Sequence, residues 1–121
     1  MRGIVLFAHG ARDPEWAHPF ERIRERIRAS RPECPIELAY LDFMRPTLEE
    51  AAAALVEEGA SSITVFPLFM AQGGHLKDDL PRMVERLRQS RPHIPIGMET
   101  AIGEVPEVLA AISAWILERV D

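Results

Sequence analysis

Short apolar runs alternate with amphipathic stretches along this chain. Residues 3–8 form a continuous apolar run, as expected of a strand buried on both faces. Asp13 is then placed to cap a helix, with Pro14 at its first position. Trp16, Phe20, Ile23 and Ile27 recur at helical spacing, while Arg22, Glu25, Arg26 and Arg28 fall off that stripe and read as a solvated face. Arg31-Pro32 closes the helix. Residues 36–41 predict a shorter, more mixed strand near a sheet edge. Thr47 with Glu50 makes a capping box for a helix whose inward face is Leu48, Ala51, Ala52, Leu55 and Val56, with Gly59 as its C-terminal cap. Residues 62–68 predict the third strand, β-branched and aromatic. It leaves through Gly73-Gly74, a pair expected to adopt conformations that side chains forbid. After His75 a helix capped by Asp78 or Asp79 is expected to run to about Gln89, with Leu80, Val84 and Leu87 facing in. Residues 96–101 predict a fourth strand. Residues 106–120 predict a last helix carrying Val108, Leu109, Ile112, Trp115, Ile116 and Val120.

The alternation βαβαβαβα predicts a single α/β domain over residues 1–121. Its expected form is a three-layer αβα arrangement on a parallel four-stranded sheet of order 2-1-3-4. The segment from Arg28 to Ile36 recurs sixty positions later from Arg88 to Ile96, with Ser-Arg-Pro and Pro-Ile in common. Both copies end a helix and begin a strand. Either a shared helix-stop grammar or an old βαβα duplication accounts for the echo.

Composition narrows the function. The 121 residues are 47% hydrophobic and 27% charged, ordinary for a globular protein. A net charge of −5 argues against nucleic acid or an anionic membrane as the main partner. Cys34 is the single cysteine, which excludes an internal disulfide and a cysteine-built metal site. No basic region followed by a long apolar run opens the sequence, and no run is long enough to span a bilayer, so a cytoplasmic location is expected.

The chemistry lies at the strand exits. In open parallel sheets, ligands bind outside the carboxyl ends of the strands where strand order reverses. Here that point falls between the first and third strands, which deliver His9 and His75. The second strand delivers Asp42. Two imidazoles and a carboxylate at one rim suit a divalent first-row metal, and imidazole also exchanges protons near neutrality. Each also has a plainer role: a histidine at a strand exit can simply bond its loop, and Asp42 can bond a loop amide. His18 and His93 read as structural or solvent residues, Cys34 as incidental, and Met44 and Met70 as packing residues rather than metal ligands. A histidine phosphatase would carry arginine directly before the first histidine, where this chain has Ala8.

Three motifs together resemble the short-form sirohydrochlorin chelatases of the class II chelatase group, the CbiX-type cobaltochelatases and their ferrochelatase relatives. They are Ala8-His9-Gly10-Ala11-Arg12, the run from Tyr40 to Thr47, and Phe66-Pro67-Leu68-Phe69-Met70 leading to Gly73-Gly74-His75 and on to Pro81. The resemblance implies insertion of Co2+ or Fe2+ into sirohydrochlorin, for cobalamin or siroheme synthesis. The divalent metal (Co2+, Fe2+ or Ni2+) would be a substrate rather than a resident cofactor. Carried over by position, His9 and His75 are the metal-binding and catalytic histidines. Asp42 stands where relatives often carry Glu, as a third ligand or proton acceptor. The substrate is rich in carboxylates, so Arg12, Arg45 and Lys77 become candidate substrate contacts, with Gly73 and Gly74. The chain departs from the pattern at Ala11, where relatives usually have Ser, at the shorter Asp42, and at Val105, where many relatives carry His. The resemblance also implies a homodimer, because long-form relatives resemble two such units in one chain. The apolar residues of the last helix are either core or part of that contact. A non-enzymatic metal-binding or metal-delivery protein on the same fold is the alternative function.

Overall fold

The computed structural model describes residues 1–120. Its strands are β1 (Arg2–Ala8), β2 (Ile36–Tyr40), β3 (Ser62–Pro67) and β4 (Ile96–Met98). Its α-helices are α1 (His18–Ser30), α2 (Leu48–Glu57), α3 (Gly74–Ser90) and α4 (Pro106–Leu117), with 3-10 turns at Pro14–Ala17 and Ile102–Glu104. The strands form one sheet of order β2-β1-β3-β4, parallel throughout, in the expected order.

β1 pairs on both edges, Leu6 lying opposite Leu38 on one side and Phe66 on the other. Alternate residues feed two cores. Val5, Phe7, Ile63 and Val65 pack with Leu48, Ala51, Ala52 and Leu55 of α2 and with Leu80, Val84 and Leu87 of α3. Leu6, Ala8, Ile36, Leu38 and Tyr40 pack on the other face, with Trp16, Phe20 and Ile27 from the side of α1. Two helices thus seal one face of the sheet, while α1 covers only part of the other.

The capping box forms as expected: Glu50 N–H donates to Thr47 Oγ1 at 3.2 Å, and Thr47 N–H to Glu50 Oε1 at 2.9 Å. Three other expectations are corrected. Asp13 caps the 3-10 turn, its Oδ1 accepting from Glu15 N–H at 3.0 Å, and the α-helix begins only at His18. The cap of α3 is Gly73, not Asp78 or Asp79, which lie exposed inside the helix. Extended Gly73 (ψ 165) already offers its carbonyl to Leu76 N–H at 3.1 Å, so the helix starts a turn earlier and includes His75. β4 is shorter than expected, because its pairing with β3 ends at Met98.

The echo is structural. Arg31 and Arg91 end their helices at nearly the same dihedrals, φ −136 ψ 67 and φ −137 ψ 65. Cys34 N–H donates to the Arg31 carbonyl at 3.0 Å and Ile94 N–H to that of Arg91 at 3.1 Å. The Pro35 and Pro95 carbonyls accept from Ile4 and Ile63, both at 2.9 Å. Arg28 and Arg88 reach the Ile36 and Ile96 carbonyls. The chain is two βαβα units joined through β1 and β3, and the repeated turns lie at the end of the sheet opposite the histidines.

Leu55 is fully buried where α2 meets β1. Leu55→Ala should lower the unfolding free energy by about 2–5 kcal/mol, the usual cost of a cavity at a site that cannot collapse. Urea titration followed by circular dichroism measures it; a loss within error would mean that α2 is not fixed on the sheet.

Candidate functional site

β1 has no polar side chain after Arg2, and its last four residues are buried. His9 is the first residue beyond it that can carry chemistry, and it is exposed. Gly10 then turns the chain at φ +90, which favours glycine. A Cβ there would lie 2.0 Å from the Asp42 carbonyl oxygen. That bare backbone lets the β2 exit close against the β1 exit: Asp42 N–H donates to the His9 carbonyl and Leu41 N–H to that of Ala8, both at 3.0 Å. His9 and Asp42 are thereby neighbours on the rim, each exposed. The His9 ring meets the buried ring of Phe69 edge-on at 5.7 Å, and Phe69 in turn meets Phe7 at 5.9 Å. The imidazole thus rests against a fixed aromatic while the residue remains exposed.

His75 lies in the first turn of α3, exposed beyond the β3 exit. The structure places His9, Asp42 and His75 on the same rim, but no group of three His, Cys, Asp or Glu side chains closes on one point among the described residues. Gly73 and Gly74 do not adopt the expected unusual conformation. Gly73 has φ −66, and a Cβ on either would meet nothing within 4 Å. Their glycines leave open space above the backbone at the start of α3.

The basic candidates differ. The Arg12 guanidinium lies 4.7 Å from the centre of the Phe43 ring. Arg45 is not a free cation: it pairs with Glu50, its Nε donating to Oε1 at 3.1 Å. That contact, with the Thr47 amide, holds the Glu50 carboxyl down to about 2. Lys77 lines a cleft of about 220 Å³ with Phe69, Met70, Gln72 and Glu104. Burial pushes the Tyr40 phenol upward, with Glu21 adding to the shift, so this residue at the end of β2 stays neutral.

Two rim residues escaped the sequence reading. Phe43 is 61% exposed and held at φ 65, a strained setting for an aromatic. Met70, read as packing, is 57% exposed. The cue for both was present: an aromatic and a thioether within segments that leave strands, where no facing element exists to bury them. Met44, by contrast, does pack against the core beside α1.

The CbiX family model matches residues 3–119. This chain belongs to the CbiX family. A sirohydrochlorin cobaltochelatase of Saccharolobus islandicus is 34% identical over 117 residues, covering 87% of this chain and 90% of its own. Another, of Sulfurisphaera tokodaii, is 31% identical over 107 residues, covering 87% and 88%. The crystal structure of a CbiX protein from Marinobacter aquaeolei superposes with TM-score 0.83 at 32% identity, over 99% of this chain and 95% of that one. The sirohydrochlorin chelatase SirB of Bacillus subtilis, solved with cobalt, gives TM-score 0.79 at 27% identity, over 97% of this chain but 50% of its own. This CbiX chain therefore spans about half the length of SirB.

The glycines give a contrast that can be measured. Gly10→Ala should cost on the order of 1–3 kcal/mol, because it meets both an unfavourable φ and the Asp42 carbonyl. Gly73→Ala, with open space around it, should cost less, about 0.5–1 kcal/mol, from the N-cap preference for Gly over Ala. Equal melting temperatures for the two variants would show that the β1 and β2 exits are not locked together.

Proposed function

We propose that this chain inserts a divalent metal, Co2+ or Fe2+, into sirohydrochlorin, with His9 and His75 as its metal-binding and catalytic residues. The observation that carries the reading is the exposed imidazole at each exit of the two central strands, β1 and β3, in a chain of the CbiX family. Its relatives are named sirohydrochlorin cobaltochelatases, and SirB has been solved with cobalt and with Fe3+.

Insertion exchanges two pyrrole N–H protons for one dication, so two protons leave for each metal that enters. An imidazole can offer a nitrogen to the metal and, at another stage, accept a pyrrole proton. Asp42, beside His9, supplies negative charge that favours an incoming cation. A site for transfer must not retain its metal, and donors on exposed exits suit that better than a closed four-ligand cage. Arg12 and Lys77, with the open backbone at Gly73 and Gly74, face the substrate carboxylates. Arg45 joins them only by giving up Glu50. The exposed Phe43 ring offers a flat surface for the macrocycle, backed by the Arg12 guanidinium. We place the enzyme in the cytoplasm, in cobalamin or siroheme synthesis, and read its working form as a homodimer. A second subunit would supply the half that SirB carries within one chain.

The test is the spectral change when protein, metal and sirohydrochlorin are mixed, with Co2+, Fe2+ and Ni2+ in turn. Rates equal to the protein-free control with all three would leave only a metal-binding protein. His9→Ala and His75→Ala should each cut insertion by roughly 10²–10⁴-fold with the circular dichroism spectrum unchanged. Asp42→Asn should lose less, chiefly in its cobalt dependence. Full activity in either histidine variant removes that residue from the mechanism.

Phe43→Ala should raise KM for the tetrapyrrole several-fold, equivalent to about 0.5–1.5 kcal/mol of ring contact, while kcat changes little. A loss confined to kcat would instead tie Phe43 to the proton or metal steps.

A further inference from the structure

The last helix is the one element that the fold leaves without a seat. Its apolar residues read from the sequence as either core or part of a dimer contact, and no residue of α4 is buried. Trp115 is 58% exposed, Leu117 67%, Ile116 50% and Ile112 41%. Its packing is confined largely to the neighbouring 3-10 turn. Meanwhile the sheet face beside α1 is open. A groove of about 200 Å³ there has only apolar walls, including Ile4 and Leu6 of β1, Phe66 of β3, Ile23 and Ile27 of α1, and Ile102. Further along the sheet, Gly97 of β4 is exposed, and a Cβ on it would meet nothing within 4 Å.

The internal repeat says what belongs in that groove. With the sixty-residue offset, α4 corresponds to α2, and Val108, Ala111, Ile112 and Trp115 correspond to Leu48, Ala51, Ala52 and Leu55. Those four residues of α2 are buried against the sheet. Their counterparts on α4 should likewise seat on a sheet face, the one that α2 and α3 do not occupy.

The helix does not reach it within its own chain. Gly103 N–H donates to the Phe69 carbonyl at 3.0 Å, and a Cβ on Gly103 would lie 1.7 Å from the Met70 carbonyl oxygen, so the turn is pressed against the β3 exit. Gln72 Nε2 bonds Glu104 Oε2 at 3.0 Å. Val105 is then extended (φ −87, ψ 114), as a residue before proline prefers, and Pro106 starts α4 on an outward course.

A second feature of α4 points to a partner rather than to simple closure. Leu109 and Ile116 form another apolar face, about 100° round the helix from the first at 3.6 residues per turn. Closure onto its own groove would bury one face and leave the other in water. A helix apolar on two sides is ordinarily buried on both.

We propose that α4 seats in the groove of a second copy of this chain, the exchange being reciprocal about a two-fold axis. One face fills the partner's groove, and the other packs in the space between the two subunits. The proposal rests on the homodimer reading above and specifies its contact. Symmetric exchange of one element is a low-cost route to a dimer, since the contacts made are those the single domain lacks.

Light scattering on the eluting full chain should give twice 13.6 kDa. Ile112→Glu should give the single-chain mass with its circular dichroism spectrum kept, since the side chain is exposed within one chain. In a Trp16→Phe background, Trp115 is the sole tryptophan, and its emission should be shielded in the dimer and move to the red as dilution halves the mass. In a Cys34→Ser background, oxidising a mixture of the Ile23→Cys and Ile112→Cys chains should link unlike chains. A single-chain mass for the original protein overturns both the dimer and the exchange, whether or not Trp115 is shielded. A dimer that survives Ile112→Glu, keeps Trp115 in water, or fails to link unlike chains overturns the exchange and leaves the dimer standing. None of these measurements reads metal insertion, so they are decided apart from the chelatase reading.

Discussion

β1 is held on both edges by parallel pairing and on both faces by packed side chains. Such a strand can carry no polar side chain within the sheet, because each would be buried without a partner. The reactive group is therefore displaced to the first position past the last buried residue, which is His9. The same strand sets the position of everything beside it. β2 is its left neighbour, so the β2 exit arrives next to His9, and Gly10 removes the one Cβ that would hold the two loops apart. β3 is its right neighbour, and its exit ends on Phe69, the ring against which His9 rests. The geometry of the rim follows from the centre of the sheet rather than from contacts among the rim residues themselves.

That arrangement gives rigid footing and open donors at the same time. Backbone bonds from Asp42 and Leu41 fix where the His9 main chain lies, while the imidazole itself remains in solvent. A resident metal would be served by buried donors with their second nitrogens already bonded. A metal that must move on to a tetrapyrrole is served by donors that water and substrate can reach. Arg45 illustrates the opposite case on the same rim: its charge is spent on Glu50, where it helps to hold the start of α2.

Much of this was legible in residues that solve a local problem. Thr47 and Glu50 announce the start of α2 because each satisfies the other's backbone, and no distant contact can improve on that. The apolar run of β1 and the stripe of α3 identify their elements because burial enforces the period. The start of α3 was misread for the converse reason. Asp78 and Asp79 can cap a helix, but Gly73 can begin one without a side chain, and nothing local distinguishes the two. The state of Gly73 and Gly74 was equally hidden, since glycine occurs both where φ must be positive and where the backbone must be bare. His9 and His75 were visible as strand-exit residues; Phe43 carried the same cue, an aromatic in a segment that leaves a strand, but its φ of 65 depends on how the loop folds.

Which of its two readings α4 follows depends on a property that sequence periodicity cannot contain. An apolar face records that a helix will be buried and says nothing of which chain will bury it. α2 and α4 hold corresponding places in the two βαβα units and carry apolar residues at matching positions, yet one is sealed on its own sheet and the other stands clear of it. The difference lies in the connections. α2 leads on to β3, and that strand must return to the centre of the sheet, which keeps α2 over β1. α4 is followed by no strand among the described residues. With its root pinned at Gly103 and Pro106 at its first turn, the cheapest place for its apolar surface is wherever an apolar groove is free, and a second copy of this chain offers one.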